Sequence, residues 1–95
     1  MAGRLEDKVA IIIGAGSVGK GWGNGKATAV LFAREGAKVF AVDINPEAVA
    51  ETADIITRER MQCVTHVCDV PDEEQVCAMV KACVAQYGRI DVLHN

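Results

Sequence analysis

The sequence predicts an α/β protein built on one parallel sheet, and three observations carry that prediction. Short β-branched apolar runs alternate with segments of helical period, cap signals bracket the helical segments, and a glycine-rich string separates the first run from the first helix. Unbroken alternation of this kind is the pattern of strand–helix–strand crossovers, whose connections are nearly always right-handed. With no linker, repeat or low-complexity stretch, residues 1–95 read as one domain.

Residues 8–13 (KVAIII) form the first strand, apolar on successive positions as expected of a strand buried on both faces. Gly14 opens a glycine-rich stretch that runs to Gly25. Over residues 26–34, Ala27, Val30, Leu31 and Ala33 keep helical spacing, and Glu35-Gly36 supplies the stop. Residues 38–43 (KVFAVD) are a second buried strand. Asn45-Pro46 then gives an N-cap followed by proline in the first turn of a helix expected over 46–60, with Val49, Ala53 and Ile56 facing inward. Residues 63–69 (CVTHVCD) read as a third strand, and Asp72 with Gln75 as a capping box for a third helix. Val76, Met79, Val80, Val84 and Tyr87 are its expected core face and Gly88 its end. Residues 90–93 (IDVL) open a fourth strand.

A net charge of −3 and a pI near 5.3 supply no basic field to gather nucleic acid or an anionic membrane. The first eight residues, MAGRLEDK, contain no apolar leader segment, and no later stretch approaches the ~20 apolar residues that span a bilayer. The expectation is a soluble, cytosolic protein. Four cysteines at 63, 68, 77 and 83 have neither the C-x-x-C spacing of a redox pair nor that of a zinc site, and read as small thiols on a buried strand and helix face. His66 and His94 lack a second ligand at metal spacing, so no metal site is expected.

The glycine string admits three registers. GAGSVGKG, residues 14–21, nearly spells the phosphate loop of nucleoside triphosphatases, but Gly21 occupies the position of the metal-binding hydroxyl, and Lys20 precedes Gly-Trp-Gly-Asn-Gly rather than a helix. Gly14, Gly16 and Gly19 offer G-x-G-x-x-G, with the same difficulty: no helix starts well before Asn24 or Gly25. The third register uses Gly14, Gly23 and Gly25, and Gly25 leads directly into KATAVLF.

In that register the chain resembles the short-chain dehydrogenase/reductase family, which carries T-G-x-x-x-G-x-G after its first strand and a helix beginning Lys/Arg-A-T-A. GRLEDKVAII, FAREGAKV, DINPEA, CDVPDEEQV and YGRIDVLHN match family habits in order and at family spacing. Relative to the family, residues 18–22 look like an insertion in the loop, Ile13 replaces a threonine whose hydroxyl ties that loop down, and His94 replaces an apolar residue. Trp22 is expected to pack the inserted loop against the protein.

The resemblance implies the N-terminal part of a single Rossmann-type, NAD(P)-binding domain over residues 1–95, with strand order 3-2-1-4 and the cofactor where that order reverses. Physically, a strand feeding a glycine turn into a helix N-terminus brings backbone amides and about half a positive charge to a pyrophosphate. Gly14, Ser17, Gly23, Asn24 and Gly25 are the residues placed around it. Asp43 lies 18 residues after Gly25, near the ~20-residue offset at which a carboxylate accepts hydrogen bonds from the adenosine ribose. A carboxylate there repels a 2′-phosphate, and Ile44, Asn45 and Pro46 supply no arginine, so NAD is favoured over NADP. Asp69 and Val70 match the family's Asp-Val pair beside the adenine. Asn95 matches the first residue of its Asn-Asn-Ala-Gly motif near the ribose.

Catalysis in the family rests on serine, tyrosine and lysine acting with the nicotinamide on an alcohol or carbonyl substrate. No catalytic residue is assigned here: the only tyrosine, Tyr87, has Asp91 where Tyr-x-x-x-Lys needs lysine. The expectation is an oxidoreductase of which this chain supplies the adenosine and pyrophosphate half; the alternative is a non-catalytic NAD-binding or interaction module. With IDVL as an open edge strand, a second copy of the chain is also an expected partner.

Overall fold

The computed structural model describes residues 3–16, 23–69 and 72–95. Three expected features fall outside them: the insertion at 18–22, Ser17 and Val70. The elements run β1 (Val9–Ile13), α1 (Asn24–Arg34), β2 (Lys38–Asp43), α2 (Pro46–Arg58), β3 (Cys63–Val67), α3 (Glu73–Tyr87) and β4 (Val92–His94). The four strands form one parallel sheet in the order β3-β2-β1-β4. Strand order therefore reverses between β1 and β4, and the carboxyl ends of those two strands define the crevice where doubly wound sheets take their ligands.

Period-two alternation in the two central strands builds a core on each face of the sheet. Ala10, Ile12, Val39 and Ala41 meet Ala29, Val30 and Ala33 of α1 and Val49 and Ile56 of α2 on one face. Val9, Ile11, Phe40 and Val42 meet Cys68 and Met79 and Cys83 of α3 on the other. The helices on the first face begin very differently. Asn45 caps α2 by accepting from the amides of Glu47 and Ala48 at 3.0 and 3.1 Å, with Glu47 in the first turn. By contrast α1 starts on Gly23, which has no side chain to cap it, and has no acidic residue in its first turn.

Several sequence expectations are corrected in detail. β3 stops at Val67 rather than Asp69, and α2 stops at Arg58 because Arg60 turns into the left-handed region at φ 65°. β4 is Val92–His94, two residues later than expected at its start: Asp91 donates its amide to Val9 O and accepts the Val9 amide on its side chain, so it joins β1 outside the regular ladder. On α3 the buried residues are Met79 and Cys83, with Val76 and Tyr87 packed beside them, whereas Val80 and Val84 are exposed. The capping box is half made. Asp72 caps the helix by accepting from the Glu74 and Gln75 amides, but the Gln75 carbonyl reaches past it to the Asp69 amide at 2.7 Å. Gly88 ends α3 in the left-handed conformation, as its position suggests.

Candidate functional site

The glycine turn begins where β1 ends. The amides of Gly14 and Ala15 both donate to Val42 O, at 2.8 and 3.0 Å, so the turn is pinned to the end of β2. Gly14 has φ +75°, a conformation open to glycine and strained for other residues. Gly25 is fixed by contact instead: a Cβ on it would lie 1.7 Å from Gly14 O, so the first turn of α1 rests directly on the strand-end backbone. Gly16 is fixed the same way by α2, since its Cβ would lie 2.6 Å from the Ala48 Cβ.

Asp43, the last residue of β2, closes the arrangement. One carboxylate oxygen accepts from the Gly16 amide and the other from the Asn45 amide, each at 2.9 Å. An ionised carboxylate oxygen has two acceptor positions, so each retains one for a further donor. Beneath the turn, the fully buried Thr52 hydroxyl of α2 donates to Ala15 O at 2.7 Å. Ile13 contributes no hydroxyl to the loop; the tie comes from α2.

Gly14, Asn24, Gly25 and Asn95 line one groove of about 510 Å³ together with Ile13, Ala27, Thr28, Leu31 and His94. It lies at the ends of β1 and β4, where the strand order reverses. The His94 Nδ1, buried at this groove, has no hydrogen-bond partner, and its ring meets Phe32 edge-on at 6.3 Å. Ile44, beside Asp43, is 64% exposed. Asp69 follows β3, next to Cys68, whose amide donates to Asp43 O at 3.1 Å. Asp72, not Asp69, is the cap of α3. Of the ten residues singled out in the sequence, four share the groove, Asp43 and its neighbour Ile44 flank the turn, Gly23 caps α1, and Asp69 sits at the adjoining strand end.

Gly16 and Thr52 were not among those residues. Gly16 belongs to a register of the glycine string that was set aside, and Thr52 is one of several small residues in an amphipathic helix with nothing local to distinguish it. Lys26 turns away from the groove: it is buried, and its ammonium pairs with Glu51 of α2 at 2.8 Å. Burial pushes the Cys63 thiol up to about 12 and also raises Cys68 and Cys83, as expected of packed rather than reactive thiols. Cys77, in contrast, is exposed. Among the described residues no group of three His, Cys, Asp or Glu side chains gathers to hold a metal ion, and no helix is long and apolar enough to cross a membrane.

The glycine turn, a helix that starts on a glycine and the strand-end carboxylate thus meet at one end of the sheet. A family model described as short chain dehydrogenase matches residues 8–95. The chain belongs to the short-chain dehydrogenase family. It is 42% identical over 94 residues to levodione reductase of Leifsonia aquatica, matching 97% of this chain and 33% of that protein. To D-threitol dehydrogenase of Mycolicibacterium smegmatis it is 39% identical over 92 residues, matching 97% of this chain and 34% of that one. Among solved structures, one described as a short-chain dehydrogenase/reductase from Burkholderia xenovorans superposes with a TM-score of 0.92 at 44% identity, over 97% of this chain and 36% of that one. Hydroxysteroid dehydrogenase from Escherichia coli gives 0.88 at 36% identity, over 95% and 36%. The chain thus spans about a third of the length of these short-chain dehydrogenases.

Proposed function

We propose that this chain holds the adenosine and pyrophosphate half of NAD for an oxidoreductase acting on an alcohol or carbonyl substrate. One observation carries the reading: the Asp43 carboxylate is hydrogen-bonded to the amide of Gly16, so the ribose-binding acid and the glycine turn form a single unit. Gly14, Asn24 and Gly25 present backbone to the pyrophosphate, and the start of α1 adds its partial positive charge there. Asp43 takes the adenosine ribose hydroxyls on its remaining acceptor positions, with the exposed Ile44 and Asp69 beside the adenine. Asn95 lies at the ribose end of the groove. When bound, the nicotinamide supplies the hydride donor or acceptor.

Within these residues the chain binds and orients and does not exchange protons with a substrate. Tyr87 is half-buried against the core, its hydroxyl 3.5 Å from Val39 O. Burial pushes its pKa up to about 12, the opposite of what a proton-exchanging tyrosine needs near neutral pH. NAD is favoured over NADP because a 2′-phosphate would meet the Asp43 carboxylate.

The test is calorimetric titration of the chain with NAD, NADP, ADP-ribose and nicotinamide mononucleotide. ADP-ribose and NAD should bind with affinities within about tenfold of each other, NADP more weakly, and the mononucleotide not measurably. Binding of the mononucleotide alone, or of none of the four by a chain that circular dichroism shows to be folded, defeats the proposal.

A further inference from the structure

Thr52 is fully buried on α2, away from the groove, and carries the only buried hydroxyl among the described residues. Its Oγ1 lies 2.7 Å from Ala15 O and 3.4 Å from Ala48 O, the carbonyl one turn back in its own helix. A hydroxyl has one proton to give, and the shorter contact places it on Ala15. The Ala15 carbonyl and the Gly16 amide belong to one planar peptide unit, in which the C=O and N–H point to opposite sides. Thr52 therefore grips one end of this plane and the Asp43 carboxylate the other. Rotating the plane breaks both bonds together, and the tight fit of Gly16 against Ala48 leaves the turn little room to shift as a body.

We infer that Thr52 is a positioning residue for cofactor recognition: by fixing the Ala15–Gly16 peptide it aims the Gly16 amide at Asp43 and so sets the orientation of the carboxylate that receives the ribose. This rests on the dinucleotide reading above. Thr52 touches no part of the ligand, and its effect passes through one peptide group to one side chain. Hydrogen bonds at the two ends of a peptide polarise one another, which strengthens the coupling between the two sites.

Thr52→Val keeps the shape and removes the proton; Thr52→Ser keeps the proton. Titrated with ADP-ribose, Thr52→Val should bind about three- to tenfold more weakly than the original chain, and Thr52→Ser within about twofold of it. In an Asp43→Ala background, Thr52→Val should change the affinity by less than about twofold, because the route to the ribose is already cut. A merely structural role would lower thermal stability and leave the two penalties additive. Equal binding by Thr52→Val and the original chain, or the same loss in both backgrounds, overturns the inference alone. An original chain that is folded by circular dichroism and binds neither ADP-ribose nor NAD overturns the functional reading and the inference with it. Hydrogen exchange of the ligand-free chain needs no variant: a Gly16 amide exchanging as fast as in an unstructured peptide removes the clamp, and a protected one supports it.

Discussion

Asp43 holds one backbone amide on each carboxylate oxygen and still faces the groove-side turn, so its removal acts on the turn and on the ligand together. Asp43→Ala removes charged hydrogen bonds of about 1.5 to 3 kcal/mol, and NAD binding should weaken roughly ten- to a hundredfold. NADP binding should weaken less or improve; equal losses for both cofactors in calorimetric titration rule out the ribose role. Gly25 gives a second prediction at this scale. Gly25→Ala forces a methyl into the Gly14 carbonyl, so destabilisation in denaturant unfolding should reach or exceed the top of the roughly 1 to 3 kcal/mol range for overpacking. A loss below about 1 kcal/mol would contradict the contact. Asp43 and Gly25 stood out in the sequence, the one as a carboxylate closing a strand and the other as the glycine that leads directly into a helix. Gly16 and Thr52 did not, since what singles them out is contact with an element some 30 residues away in the chain.

Helices and strands were legible where capping chemistry and apolar period agree. Asn45 caps α2 as read, and Asn45→Ala should cost about 1 kcal/mol in thermal unfolding. On α3 the apolar residues are dense enough to suit two faces; the sheet selects the stripe through Met79 and Cys83, and Val80 and Val84 fall one step round the helix. β4 starts later than its apolar pattern suggests because Asp91 bonds Val9 through both its amide and its side chain. The Val9 amide, reinforced by the Arg89 guanidinium, holds the Asp91 carboxyl below the usual carboxylate range. A depressed folded-state pKa contributes stability that is present above the unfolded pKa and is lost as pH falls through the folded one. Acid unfolding followed by circular dichroism from about pH 7 to about pH 2 should therefore show a shallower acid limb in Asp91→Asn than in the original chain. Identical limbs would mean that the Asp91 carboxylate contributes no such pH-dependent stability.

At the scale of the molecule, the parallel sheet and its order follow from the alternation of elements, which local pattern reports well. Which surfaces end up covered depends on neighbours, and local pattern is silent there. Leu31 on α1 is 56% exposed, and on the α3 side of the sheet Leu93 of the outer strand β4, 62% exposed and in register with Ile11, joins Val80 and Val84 as exposed apolar surface. β4 presents one edge to β1, and among the described residues no strand pairs with its other edge, which makes it a template for association. Sedimentation of residues 1–95 should accordingly show self-association or partial unfolding. A monomer with a sharp, reversible thermal transition would contradict that expectation and favour a self-standing NAD-binding module.

The central claim is that the turn after β1, the start of α1 and the end of β2 together receive the adenosine half of NAD. Hydrogen–deuterium exchange of the chain with and without saturating ADP-ribose tests it most directly, since it reports each segment and tolerates association. Added protection should appear at Gly14, Ala15 and Gly16, at Asn24 and Gly25, and at Asp43, Ile44 and Asp69, with β3 and the outer side of α3 unchanged. Protection confined to α3 around Cys77 and Lys81, or an unchanged pattern at saturation, would contradict the assignment of this site.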